Sequence, residues 1–81
     1  MRITIEYCVT CNYRPIAAAL AVIIRNGFGV TPLLVQSTAI GTYTVLADGE
    51  TVFSKNEAGR FPDNAEILDL LRKRMAGTRG A

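Results

Sequence analysis

Cys8 and Cys11 are the only cysteines of this 81-residue chain, and they lie in one short motif, Cys8-Val9-Thr10-Cys11. The thiolate is the form of cysteine that attacks disulfides and binds metals. At an ordinary pKa of ~8.5 roughly 3% of a thiol is ionised at pH 7, against about 75% at ~6.5. The i, i+3 spacing in a turn lets the second sulfur reach the first and close a reversible disulfide. The motif stands between a strand pattern and a helix pattern, inside a βαβ arrangement, where a CxxC reads as a redox pair. The helix N-terminus offers orphan N–H groups and positive potential that favour a thiolate, and Arg14 adds a cation nearby. Two other uses of the pair stay open: half of a zinc site shared between two chains, since four ligands are usual, or plain structural thiols. The absence of His removes Ser-His and Cys-His catalysis and His-liganded zinc.

The elements that must position the pair follow from periodicity. Arg2 to Tyr7 alternates with Ile3, Ile5 and Tyr7 on one face, which predicts a strand. Asn12 is expected to cap a helix running to about Arg25, with Pro15 at its third position and Asn26-Gly27 ending it. That helix is apolar all round, with Ile16, Leu20, Ile23 and Ile24 on its bulky side and Ala17, Ala18 and Ala21 elsewhere. Such a helix is well covered or meets a partner. Val30 to Gln36 reads as a second strand, placed at a sheet edge by Pro32. Thr42–Ala47 and Glu50–Ser54 flank Asp48-Gly49, a type I′ hairpin signal. Asp63 and Glu66 form a capping-box-like start to a last helix with Ile67, Leu68, Leu71 and Met75 as its stripe, stopped by Gly77. The expected architecture is α/β, in the order β-α-β-β-β-α: a four-stranded mixed sheet with two helices. Residues 1–76 form one domain and residues 77–81 a frayed tail.

Composition narrows the function. Hydrophobic residues make up 49% of the chain and the net charge is only +2, which excludes a disordered chain. The most apolar run, Pro15 to Ile24, is too short to cross a bilayer, so no membrane role is expected. Arg2-Ile3-Thr4-Ile5-Glu6 leaves no room for a signal-peptide core, and the expected compartment is the reducing cytoplasm. The one basic cluster, Arg72-Lys73-Arg74, suits the end of a helix and falls short of a nucleic-acid footprint.

Tyr7 to Pro15 around the motif, Gly41-Thr42-Tyr43-Thr44-Val45, Asp48-Gly49-Glu50, and Val52 to Lys55 through Gly59-Arg60-Phe61-Pro62 resemble the selenoprotein W-like members of the SelT/SelW/SelH (Rdx) family. The resemblance covers nearly the whole chain in the family's order. It implies a thioredoxin-like fold, a CxxC or Cys-x-x-selenocysteine centre, and a glutathione- or thioredoxin-linked antioxidant role. The family's selenocysteine position is Cys11 here, which implies a weaker, sulfur-only activity. Thr44 stands where the family often has an acidic residue. No proline lies between Ser37 and Gly41, where thioredoxins proper dock substrate with a cis-proline.

The expected function is thus thiol–disulfide exchange by Cys8 and Cys11 on a protein or small-molecule disulfide, reset by an external thiol such as glutathione or thioredoxin. No bound cofactor or metal is expected. The alternative is a redox-sensitive protein-binding module without significant turnover. Cys11 is expected to be the more reactive thiol, being nearer the helix start and matching the selenocysteine position, with Cys8 resolving. Arg14 and Lys55 are auxiliary candidates, though a Lys after an edge strand is more often a solubility device. Tyr7 and Tyr13 are expected to pack rather than react, and Arg60-Phe61-Pro62 to lead into the last helix. The apolar helix and the edge strand predict weak self-association or docking to another protein.

Overall fold

The computed structural model describes residues 2–80, with side chains described as far as Arg74. The alternation of the first strand becomes β1 (Ile3–Cys8), with Ile3, Ile5 and Tyr7 buried. β1 lies inside a sheet of order β2-β1-β3-β4, where β2 is Leu33–Ser37, β3 Tyr43–Ala47 and β4 Glu50–Ser54. β2 runs parallel to β1, while β3 is antiparallel to both β1 and β4. This is the four-stranded mixed α/β sheet of a thioredoxin-like fold, with β2 at the edge. Pro32 lies just outside β2, so it ends the approach to the edge strand without interrupting a ladder. Asp48 and Gly49 both have positive φ, +53° and +85°, as a type I′ turn requires.

Two longer helices cover one face. α1 (Arg14–Phe28) packs on β1 and β2, and the long helix Asn64–Gly80 packs on β4 and on α1. Burial along α1 is one-sided: Ala17, Leu20 and Ile24 are inside, at the spacing of a 3.6-residue turn. Full burial of Leu20 and Ile24 contributes ~1.5–3 kcal/mol each. Ile16 and Val22 are 43% and 56% exposed, so the bulky side of the helix is not wholly inward. Tyr43, Val45, Ala47, Phe53, Ile67 and Leu71 complete the core. On the other sheet face Thr4, Glu6, Thr44 and Leu46 are half-buried. No helix of the described residues is long and apolar enough to cross a membrane.

Several boundaries differ from those expected. Asn12 does not cap α1: it has φ +59° in the turn. Tyr13 holds the cap position in a helical conformation, without a side-chain hydrogen bond, and Pro15 sits in the first turn. Asn tolerates the left-handed region, and the turn uses it for that. α1 also passes through Asn26-Gly27 and stops at Gly29, whose φ of +71° lets its N–H bond to the Arg25 carbonyl. A third helix, α2 (Lys55–Ala58), joins the two expected ones. It is a single turn after β4, too short to show a hydrophobic period. The last helix, α3, runs past Gly77, since a glycine weakens a helix but need not end it. The side chains of Met75, from the expected stripe, and of the expected tail lie outside those described.

Candidate redox site

The site begins where β1 ends. Cys8 is the last residue of β1, tied by its N–H to the Thr42 carbonyl at 2.8 Å. The chain then turns: Asn12 N–H donates to the Val9 carbonyl at 3.1 Å and Tyr13 N–H to the Cys8 carbonyl at 3.4 Å. The turn brings the Cα atoms of Cys8 and Cys11 to 5.4 Å, with their sulfurs at disulfide distance. That separation lies in the middle of the range a disulfide accepts.

The two sulfurs are not equivalent. Cys8 is 1% exposed, whereas the motif's place on a turn between strand and helix predicts that both cysteines are at least partly exposed. The correction follows from β1, which keeps Cys8 within its ladder, paired in register with Ser37. Cys11 is half-buried, the more exposed residue of the pair. Its Sγ accepts the Gly41 N–H at 3.2 Å, while Cys8 Sγ lies 3.3 Å from Thr10 Oγ1. The helix start that was expected to supply the nearest N–H to Cys11 has moved on to Arg14, and the β2–β3 loop supplies it instead.

That loop is built to hold the amide in place. Ser37 Oγ donates to Thr42 Oγ1 (3.3 Å), Thr42 Oγ1 donates to the Ala39 carbonyl (2.9 Å), and Ala39 N–H donates to Ser37 Oγ (3.2 Å). Gly41 takes φ +83°, a conformation that costs an L side chain ~1–2 kcal/mol. Sequence reading noted Gly41, Thr42 and Thr10 only within motifs and gave them no role at the sulfurs, because contacts across the fold leave no local pattern. A groove of about 490 Å³ opens beside the motif, lined by the uncharged Val9, Thr10, Gln36, Ser37 and Thr38.

Neither auxiliary candidate, Arg14 or Lys55, hydrogen-bonds a sulfur. Arg14 is exposed at the first position of α1 and makes no hydrogen bond to either sulfur. Lys55 Nζ lies over the rings of Phe61 (5.2 Å) and Tyr13 (5.7 Å). Those rings and Tyr43 form an edge-to-face cluster with centroids 5.0 to 6.2 Å apart. The cluster joins the start of α1 to β3 and to the entry of α3. Tyr7 is a core residue and Tyr13 a rim one. Burial pushes the Tyr43 phenol up to about 12. Arg60 enters α3 by a two-pronged pair with Glu66 at 2.9 and 2.8 Å. Hydrogen bonding to Arg60 holds the Glu66 carboxyl below its ordinary value and raises the Arg60 pKa. Among the described residues no three His, Cys, Asp or Glu side chains gather as a metal site would need.

A thioredoxin-like sheet with two cysteines paired at the end of its first strand defines a class of protein, the small thioredoxin-like folds with a CxxC pair. Within that class the chain belongs to the Rdx family, whose profile matches residues 2–73. It is similar to "Migration and invasion enhancer 1" of Bos taurus, 26% identical over 77 residues, which span 95% of this chain and 67% of that protein. The Mus musculus protein of the same name is 25% identical over the same share of each chain. Among solved structures, a Bordetella parapertussis protein superposes with TM-score 0.85 at 26% identity, covering 90% of this chain and 95% of its own. A selenoprotein W-related protein from Vibrio cholerae superposes with TM-score 0.81 at 20% identity, covering 89% and 92%. The latter likeness is one of fold.

Proposed function

We propose that the chain is a thiol–disulfide oxidoreductase in which Cys11 attacks and Cys8 resolves. The observation that carries this reading is the asymmetry of the pair. Cys11 is half-buried and receives an N–H at 3.2 Å, whereas Cys8 is 1% exposed. A backbone donor stabilises a thiolate more than a thiol. Family membership and the two sulfurs at disulfide distance support a redox role. The substrate in this reading is a protein or small-molecule disulfide, and an external thiol, glutathione or thioredoxin, resets the pair without a bound cofactor. The reducing cytoplasm is the compartment where such a cycle runs.

The test is a redox titration of the dithiol combined with Cys8→Ser and Cys11→Ser variants offered a disulfide substrate. Expected are a potential near the cytosolic glutathione poise and a mixed disulfide trapped on Cys11 in Cys8→Ser. A mixed disulfide that forms only in Cys11→Ser reverses the roles. A second reading, a redox-sensitive binding module, is favoured by the exposed Val9 and Ile40 on the two loops beside Cys11. It takes over if the pair titrates reversibly but reduces neither insulin nor glutathione disulfide catalytically.

A further inference from the structure

Resolution by Cys8 poses a problem of proton removal. Cys8 must lose its proton to attack Cys11, yet burial in apolar surroundings raises a thiol pKa and leaves little thiolate at neutral pH. Among the described residues no Asp, Glu, Lys or Arg side chain is buried, so no inward carboxylate or amine is present to take that proton. Among the described residues one side-chain heteroatom outside the cysteine pair reaches the sulfur, with the two sulfurs at disulfide distance: Thr10 Oγ1, 3.3 Å from Cys8 Sγ. Thr10 itself is exposed. Its hydroxyl therefore touches the buried sulfur while the residue faces water. A β-branched side chain is stiff about χ1, which helps to keep the hydroxyl in that place. A hydroxyl can accept one proton and release another, so it can connect two sites that never meet.

Resting on the roles assigned above, we propose that Thr10 is a catalytic residue of the resolving step, the proton exit for Cys8. In the first step the Cys11 thiolate attacks a substrate disulfide. A Cys11–substrate S–S bond forms, the substrate S–S bond breaks, and the first substrate sulfur leaves with the electron pair as a thiolate, taking a proton from water only where it is basic enough. In the second step the Cys8 thiol gives its proton to Thr10 Oγ1, which passes its own to water. Cys8 Sγ then attacks Cys11 Sγ, the Cys8–Cys11 bond forms, the mixed disulfide breaks, and the second substrate sulfur leaves as a thiolate, free to take up the proton that Cys8 gave to water. The substrate gains two electrons and the dithiol is oxidised by two.

The experiment is stopped-flow mixing of the reduced chain with one equivalent of dithiobis(nitrobenzoate), which releases one coloured thiolate per step. Thr10→Val, nearly the same shape without the hydroxyl, should leave the first release unchanged and slow the second roughly 10- to 100-fold near neutral pH. The gap should close as pH rises and hydroxide takes the proton directly. Thr10→Ser, which keeps the hydroxyl, should restore most of the rate. An unchanged second phase in Thr10→Val overturns the role of the hydroxyl alone. So does an equal slowing at every pH, or a failure of serine to restore, since both mark packing rather than proton transfer. A slowed first phase with a normal second one overturns this inference together with the assignment of Cys8. No release from the parent chain overturns the oxidoreductase reading itself.

Discussion

Gly41→Ala should raise the pKa of the Cys11 thiol by about one to two units. The figure comes from the contact it disturbs. Gly41 N–H donates to Cys11 Sγ at 3.2 Å, and a hydrogen bond to a charged group is worth ~1.5–3 kcal/mol. At 1.36 kcal/mol per pKa unit that is about one to two units. Alanine keeps the N–H but resists the φ of +83°, at a cost of ~1–2 kcal/mol. An added Cβ would meet nothing closer than Asn56 Oδ1 at 3.9 Å, so the strain is in the backbone and not in crowding. Rotation of the loop relieves that strain and turns the amide away from the sulfur. Asparagine tolerates positive φ, so Gly41→Asn should keep the amide in place and the pKa near that of the parent. The assay is the pH dependence of alkylation by iodoacetamide, with Cys8→Ser as the background so that a single thiol reports. An unmoved inflection in Gly41→Ala would refute the reasoning, as would equal shifts in the alanine and asparagine variants.

Burial along α1 is one-sided, so Leu20→Ala should cost ~2–5 kcal/mol and Ile16→Ala no more than about 0.5 kcal/mol in urea unfolding. Comparable losses would contradict the burial pattern. Glu66 is held below its ordinary 4.5 by Arg60, so its share of stability is present above that value and lost as pH falls through the depressed one. Glu66→Gln should flatten this acid limb of a denaturation series. Tyr43 is raised from 10.0 to about 12 by burial, so its share is present below 10 and lost as pH climbs towards 12. Tyr43→Phe should flatten the alkaline limb. Exposed Ile16 and Val22 should give weak, reversible self-association in sedimentation at high concentration, abolished by Val22→Lys. A parent chain that stays monomeric throughout would refute that surface.

The sheet was legible wherever side chains follow a short rule. Ile3, Ile5 and Tyr7 alternate because one face of β1 is buried, and Asp48-Gly49 names its own turn. Asp63 N–H and the Ile67 N–H that bonds the Asp63 carbonyl mark the start of α3, with Glu66 reaching back at 3.4 Å. The ends of α1 were not legible, because Asn12 and Gly27 fit more than one backbone state and tertiary packing chose between them. α2 escaped because one turn is shorter than any period. Within the site, local sequence named both cysteines but not their unequal surroundings. Those come from Thr42 and Gly41, which lie more than 30 and exactly 30 positions further along the chain.

The last point changes what the thiols report. Four residues close the Cys8–Cys11 loop, so even an unfolded chain can form that bond. What unfolding removes is the contribution of residue 41, since a donor 30 positions away reaches Cys11 only when β1, β2 and β3 are assembled. A denatured chain would then carry two thiols of ordinary acidity, near ~8.5, and react slowly at neutral pH. Reactivity at Cys11 is in this sense a built-in gauge of foldedness. Alkylation rate, followed through a urea or heat transition, should trace the same cooperative curve as the backbone, without an added dye or label.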